Sequence, residues 1–399
     1  MSAGAGLAHH HNSTDLQSIA NNGATGKTRP RICMFSPRNF TKRPFQCGLY
    51  EAQDVLCDTE HVDLICLEPG RGFRLRERWQ RRLVFHDISG KLVFANPGLS
   101  KFRIGQTYDV FIAVCQNHWD LLYLNAIEGW REHCKTSICW IDEMWAATLP
   151  DYKNWLPALK QFDHLFAGYL GSVGRMSEAI GRTCTWLPGG ADTLRFSPYP
   201  CPVPRVVDVY SIGRRSAGIH DVLLAAASKK EIFYVHDTCD VADSEVYDHR
   251  QHRNAIANMA KRSRYFLVAP GKVDDPSLTG GQVEVGYRYF EGAAAGAVLI
   301  GQPPNGTAFD QTFPWPEAVI PVKHDGSDIR EVLSCLSADP RRLSAISRRN
   351  SAQSLLRHDW VHRWERMFEV AGIPPSPGML QRKDQLKRVA ALAESETHN

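Results

Sequence analysis

Arg288 and Glu291 stand three residues apart within the stretch 281 to 301, GQVEVGYRYFEGAAAGAVLIG. On a helix that spacing puts both side chains on one face. A carboxylate held at the first turn of a helix beside a buried strand can accept two hydrogen bonds from a vicinal diol, the group a ribose presents. The alternative for the same spacing is a solvated i,i+3 ion pair on an ordinary helix. Ala293, Ala294, Ala295 and Gly296 then make a turn slim enough for another backbone to approach closely, and Ala297 to Ile300 read as an apolar strand ending in Gly301. The stretch is expected to form loop, short helix and buried strand in succession.

Two further groups follow apolar runs of strand length. Asp142 comes after ICWI and His118 after FIAVC, so both could enter a cleft from strand ends, where Asp142 could act on an acceptor hydroxyl. The structural alternatives are a helix N-cap for Asp142 and an exposed histidine at a helix start for His118. Gly48 precedes a helical segment, where it either lets backbone amides approach a phosphate or serves as a plain turn glycine.

These positions need a scaffold. The chain has 399 residues, enough for two α/β units each burying a core, with the apolar and charged content of a soluble globular protein. Its formal charge of +4 suits anionic ligands or membrane surfaces. No basic run is read as interleaved with aromatics, so nucleic acid is not expected as a partner. Eleven cysteines without regular spacing argue against a disulfide framework, and no C-x-x-C or Cys/His cluster offers a zinc site. With no signal segment and no long uncharged apolar run, a cytoplasmic chain with reduced thiols is expected.

Residues 1 to 30 read as a disordered leader, in which the tract His9 to His11 is expected to be inert. Gly23 to Thr28, GATGKT, fails as a phosphate loop: Asn21 replaces the first glycine, and the loop precedes a strand instead of following one. Strands are expected at 31–36, 62–67, 109–115, 136–141 and 164–168, helices at 48–57 and 118–134, and a hairpin or excursion around Ser89-Gly90 over 83–96. After a Pro-rich linker at 198–204, strands are expected at 207–212, 231–236, 264–269, 297–300 and 318–322, with a loop over 270–286. Strands apolar on both faces and alternating with helices imply parallel sheets covered on both sides.

Arg288, Phe290, Glu291, Ala294, Gly296, Ala297 and Ile300 together form a pattern that resembles the C-terminal domain of GT-B glycosyltransferases, in the branch related to family 4 and the CgeB-like proteins. A second match is W186-LPGGADTLRFSP, with Leu187, Pro188, Gly190, Asp192, Phe196 and Pro198 in place; its prolines and glycine would make a rigid exit from the first domain. The resemblance implies an α/β GT-B fold of two Rossmann-like domains facing across a cleft. Its expected parts are an acceptor domain at 31–200, a nucleotide-sugar domain at 205–350, a helix returning to the first domain at 351–373, and a charged tail at 374–399, helical or peripheral at a membrane. Trp360, Trp364 and Phe368 would supply the returning helix's apolar face.

The resemblance further implies a glycosyltransferase of polysaccharide biosynthesis. It would move a sugar from a nucleotide-sugar donor to a glycan or lipid-linked acceptor, with retention and with neither metal nor other cofactor. Glu291 would bind the donor ribose, with Arg288 beside it, and Gly213 and Arg214 would meet the pyrophosphate. The family's lysine after that arginine has no counterpart, since Ile219 and His220 occupy the region, so Arg215 substitutes or the donor is held differently. The first glutamate of the family's E-x7-E falls on Val283, leaving Glu284 one residue away. Same-fold epimerases or hydrolases, and a non-catalytic glycan- or partner-binding protein, are the alternatives.

Overall fold

Six apolar segments of the first half pair side by side in the computed structural model, which describes residues 7–8, 30–86, 90–238 and 244–395. They are β1 (Ile32–Ser36), β2 (Val62–Cys66), β3 (Tyr108–Cys115), β4 (Cys134–Ile141), β5 (His164–Ala167) and β6 (Cys184–Trp186). All are parallel, in the order β2-β1-β3-β4-β5-β6, and the backbone of Leu7–Ala8 adds an antiparallel pair outside β2. The helices α1 (Cys47–Thr59), α2 (Phe73–Phe85) and α3 (Leu170–Ile180) belong to this lobe. Its strands are buried on both faces, as continuous apolar runs require.

The second lobe repeats the plan with β7 (Val207–Ser211), α4 (Ala217–Ser228), β8 (Tyr234–His236), α5 (His249–Lys261), β9 (Ser263–Val268), α6 (Tyr287–Ala294), β10 (Val298–Gly301) and β11 (Ile320–Pro321). Its sheet is parallel in the order β8-β7-β9-β10-β11. In each lobe the order reverses beside the first strand, and doubly wound sheets bind ligands at the carboxyl ends flanking such a reversal. Two α/β lobes of this kind, with helices crossing back, make the GT-B architecture.

The crossing helices are α7 (Pro340–Arg357), α8 (Trp360–Val370) and α9 (Pro377–Ser395). Trp360, Trp364 and Phe368 of α8 are buried with Trp140 and Leu187 in the core of the first lobe. The Trp364 indole donates to the carbonyl of Ala52 at 2.8 Å. Of the readings of the charged segment after Pro374, the helical one describes Pro377–Ser395, and that helix is packed. Met379, Leu386, Ala390 and Ala393 form a buried stripe on α9, and Gly378 lies so close to α1 that a Cβ would stand 2.0 Å from the Thr59 oxygen.

Two expectations change. Residues 118–134 form a 3₁₀ segment at His118–Ala126 and a short strand at Ile127–Glu128, because Gly129 in the left-handed region (φ +79°) turns the chain. The described part of 83–96 is the end of α2 and a 3₁₀ turn at Gly90–Phe94. Here the buried stripe Phe73, Glu77, Gln80 and Val84 carries helical spacing to Phe85. The His9 to His11 tract, the GATGKT segment and residues 87–89 lie outside the described residues, as does the 1–30 leader apart from Leu7–Ala8 and Pro30.

Candidate functional site

Helix α6 begins at Gly286, facing the first lobe, and carries Tyr287, Arg288 and Glu291 in its first turns. Gly292 keeps it close to the sheet: a Cβ there would fall 2.6 Å from a Leu299 methyl and 2.9 Å from the Phe266 ring. Gly301 ends β10 at φ +143°, with its Cα so near β9 that a Cβ would stand 2.0 Å from the Val268 oxygen. The small residues that follow Glu291 in the sequence therefore set how deeply that helix beds.

Glu291 is buried, and both its oxygens are engaged. Arg253 of α5 donates to Oε1 and Arg288 donates to Oε2. Burial alone would raise this carboxyl, but the two guanidinium groups bring it down to about 2. Arg253 also donates to Glu51 Oε2 on α1 at 2.8 Å, so a row of buried charges runs from the first lobe into the second. Burial pushes Glu51 up, while Arg253 opposes. Arg288 is the partly exposed member of the row and lies next to the Gly213 backbone, with Nε 3.7 Å from where a Cβ would be.

Gly213 and Arg214 lie at the carboxyl end of β7. Gly213 adopts φ +81° and its N–H donates to Asp237 at 2.8 Å. Arg214 is exposed and paired with Asp274, whereas Arg215 is half-buried against Asp237. Lys272, from the loop after β9, reaches Glu143 of the first lobe at 3.5 Å. Beside it a pocket of about 530 Å³ opens at the ends of β9, β10 and β11, lined in part by Gly271, Lys272, Gln302 and Asn305. Four basic side chains thus gather where the doubly wound topology places a ligand.

On the first-lobe side, Asp142 follows β4. Its Oδ1 accepts from the Tyr287 hydroxyl at 2.6 Å and its Oδ2 from Gln116 Nε2 at 3.1 Å. Gly168, after β5, allows this placement, since a Cβ would come within 2.3 Å of the Asp142 carbonyl oxygen. Burial pushes the Asp142 carboxyl up to about 7. Gly48 of α1 faces the Tyr287 ring, 3.4 Å from where its Cβ would be. Glu284 accepts from the Gly171 amide at 3.0 Å and from Gln282 at 2.6 Å, tying the loop before α6 to the start of α3.

The structure therefore brings together Asp142, Gly48 and α6 at one buried contact between the lobes and sets Gly213 against Arg288. It does not bring His118 to Asp142. That imidazole is buried among Trp119, Tyr152 and Trp155, and burial with the nearby Arg81 holds its pKa well below the usual value. Neither a solvent-exposed helix start nor a cleft position describes it. Sequence reasoning missed Tyr287, Glu51, Arg253 and Lys272. Arg253 did leave a signal, since it falls in register with the apolar Ile256, Ala257 and Ala260 of α5.

Among the described residues no group of three or more His, Cys, Asp or Glu side chains could hold a metal ion, and no helix is long and apolar enough to cross a membrane. Residues 218–369 match a family model described as glycosyl transferase-like. No curated protein matches the chain in sequence. Similar solved structures include an alpha-glucosyltransferase in complex with UDP and a 13-mer DNA containing a HMU base, at 11% identity and TM-score 0.51, covering 86% of this chain and 99% of that one. Another is alpha-glucosyltransferase in complex with UDP and a 13-mer DNA containing a central A:G mismatch, at 10% identity and TM-score 0.50, covering 86% of this chain and 100% of that one. The N-terminal domain of Candida albicans trehalose-6-phosphate phosphatase aligns at 10% identity and TM-score 0.51, covering 90% and 98%.

These likenesses carry the fold alone, but they correct one expectation. Proteins of this architecture are found bound to DNA, so composition gave no ground for excluding a nucleic-acid partner. The premise fails as well, because residues 71–85, RGFRLRERWQRRLVF, are a basic run interleaved with aromatics. The two-lobed fold and the match over 218–369 relate this chain to the GT-B glycosyltransferase superfamily.

Proposed function

We propose that the chain transfers a glycosyl group from a nucleotide-sugar donor, held by the second lobe, to an acceptor admitted from the first, in the branch related to family 4 and the CgeB-like proteins. The observation that carries this reading is the meeting of α6 with Asp142 between the lobes, joined by the Tyr287 hydrogen bond of 2.6 Å. Donor-side cations and an acceptor-side carboxyl stand at facing strand ends there. In this reading Arg214, Arg215, Lys272 and Arg288, with the Gly213 loop, meet the diphosphate and stabilise the charge that develops as the glycosidic bond breaks. Glu291 has two oxygens with about four acceptor directions between them, of which Arg253 and Arg288 use two. When Arg288 turns to the phosphates, Oε2 is freed for the ribose diol.

Asp142 accepts the acceptor's proton in this scheme, and we assign His118 to packing. Glu284 ties the lobes, and Gly48 leaves room for Tyr287. A glycan or lipid-linked hydroxyl and retention of configuration complete the reading. The DNA-bound neighbours add nucleic acid to the acceptors to be tried.

Calorimetric titration with UDP and GDP tests the donor site. Glu291→Gln, checked for folding by circular dichroism, should weaken binding about tenfold or more, the cost of losing charged hydrogen bonds. Unchanged affinity would move the site elsewhere. Nucleotide release from a sugar-nucleotide panel then separates the classes: release that requires acceptor supports transfer, acceptor-independent release supports hydrolysis, and none supports a binder.

A further inference from the structure

Helix α2 turns inward only the stripe Phe73, Glu77, Gln80 and Val84. Its one acid, Glu77, is buried and held by Arg81 and Tyr123, with Arg74 Nη1 3.8 Å from its Oε2, so it offsets at most one charge on the outer face. That outer face and the turn before it expose Arg71, Arg74, Arg76, Arg78 and Arg82. Among them Leu75 is 62% exposed, Trp79 55% and Phe85 41%. Large apolar side chains left in water are ordinary when single, but three on one short helix within a ring of arginines are a composed surface. The helix starts on the carboxyl-end side of the first lobe's sheet, where Arg74 donates to the Phe40 carbonyl in the loop after β1.

We propose that this face of α2 docks the protein on a lipid bilayer carrying anionic headgroups, with Leu75, Trp79 and Phe85 entering the interface and the arginines meeting the headgroups. Charge decides the sign of the partner, and the apolar side chains decide its phase. A nucleic acid would satisfy the arginines and could stack on Trp79, yet it would leave Leu75 and Phe85 in water. A bilayer interface takes all three apolar groups and the surrounding cations together. The inference stands apart from the transferase reading, since it concerns a surface on the far side of α2 from the core and not the contact between the lobes.

Flotation of the full chain with vesicles tests it. Vesicles of equal parts phosphatidylcholine and phosphatidylglycerol should carry the protein, and vesicles of phosphatidylcholine alone should not. Leu75→Ser with Trp79→Ser, and separately Arg78→Glu with Arg82→Glu, should each weaken vesicle binding about tenfold or more while thermal unfolding stays unchanged. All four side chains point outward, so neither pair disturbs the core. Absence of wild-type binding to the anionic vesicles overturns the proposal. So does vesicle binding that neither pair weakens, and so does capture of a duplex oligonucleotide that is lost with the arginine pair but kept with the apolar pair.

Discussion

Asp142 is a carboxyl whose partners are neutral. Tyr287 and Gln116 donate to it, the neighbouring charge is that of Glu143, and burial outweighs the two hydrogen bonds to leave it near 7 against an ordinary 3.8. Over that interval the folded state holds a proton that the unfolded chain has released. Its contribution to stability is therefore complete below about pH 4 and declines as pH rises through about 7. Asp142→Asn keeps the shape and one acceptor, turns the other oxygen into a donor, and removes the titration. Thermal unfolding between those two pH values should lose part of its downward slope in the variant, and an unaltered slope would mean the carboxyl is already ionised. If Asp142 takes the acceptor proton, turnover should rise through about pH 7 and fall some hundredfold or more in the same variant.

At the scale of elements, α9 acts as a clamp on the junction between the lobes. Arg382 donates to Asp359 Oδ1 at 2.7 Å and to Asp192 at 2.7 Å, and Asp359 also accepts from the amide and hydroxyl of Thr193 at 3.0 Å. Asp192 begins the short turn that leaves the first lobe, so the Pro/Gly segment 186–198 is held from outside by a helix distant in sequence. Arg382→Met should cost about 3–5 kcal/mol in denaturant unfolding, because it strands the buried Asp359 without its cation and leaves Asp192 only Arg195, at 3.4 Å. A loss below about 1 kcal/mol, the range of an exposed pair, would show that α9 is peripheral.

For the whole molecule, charge joins the lobes beside the apolar seat of the crossing helices. Glu51 and Asp54 of α1 face α5, where Arg253 takes Glu51 while His249 and Arg250 take Asp54, each at 2.8 Å. Because Arg253 also holds Glu291, relative lobe position and the state of the candidate donor carboxylate are coupled through one side chain. Arg253→Met, near in volume but uncharged, leaves Glu51 and Glu291 buried without it. The expected outcome is a loss of about 3–5 kcal/mol and a larger radius of gyration by small-angle scattering as the lobes part. An unchanged radius would mean the crossing helices alone set the lobe arrangement.

The chain by itself determined its strands and its doubled α/β plan, because apolar runs between turn residues state burial on both faces without reference to anything distant. It also marked Glu291 and Asp142, which lie next to strands and short turns that local pattern can locate. It hid α9, whose buried stripe is diluted by charged neighbours, and the inward His118, whose aromatic shell is gathered from residues 119 to 155. Only the tertiary structure decided what each charge faces. The Glu51–Arg253–Glu291 row joins positions 202 and 38 residues apart, and Tyr287 meets Asp142 across 145. Such pairings carry no sequence period, since a buried ion pair needs closeness and shared desolvation in space, and neither is written in spacing along the chain.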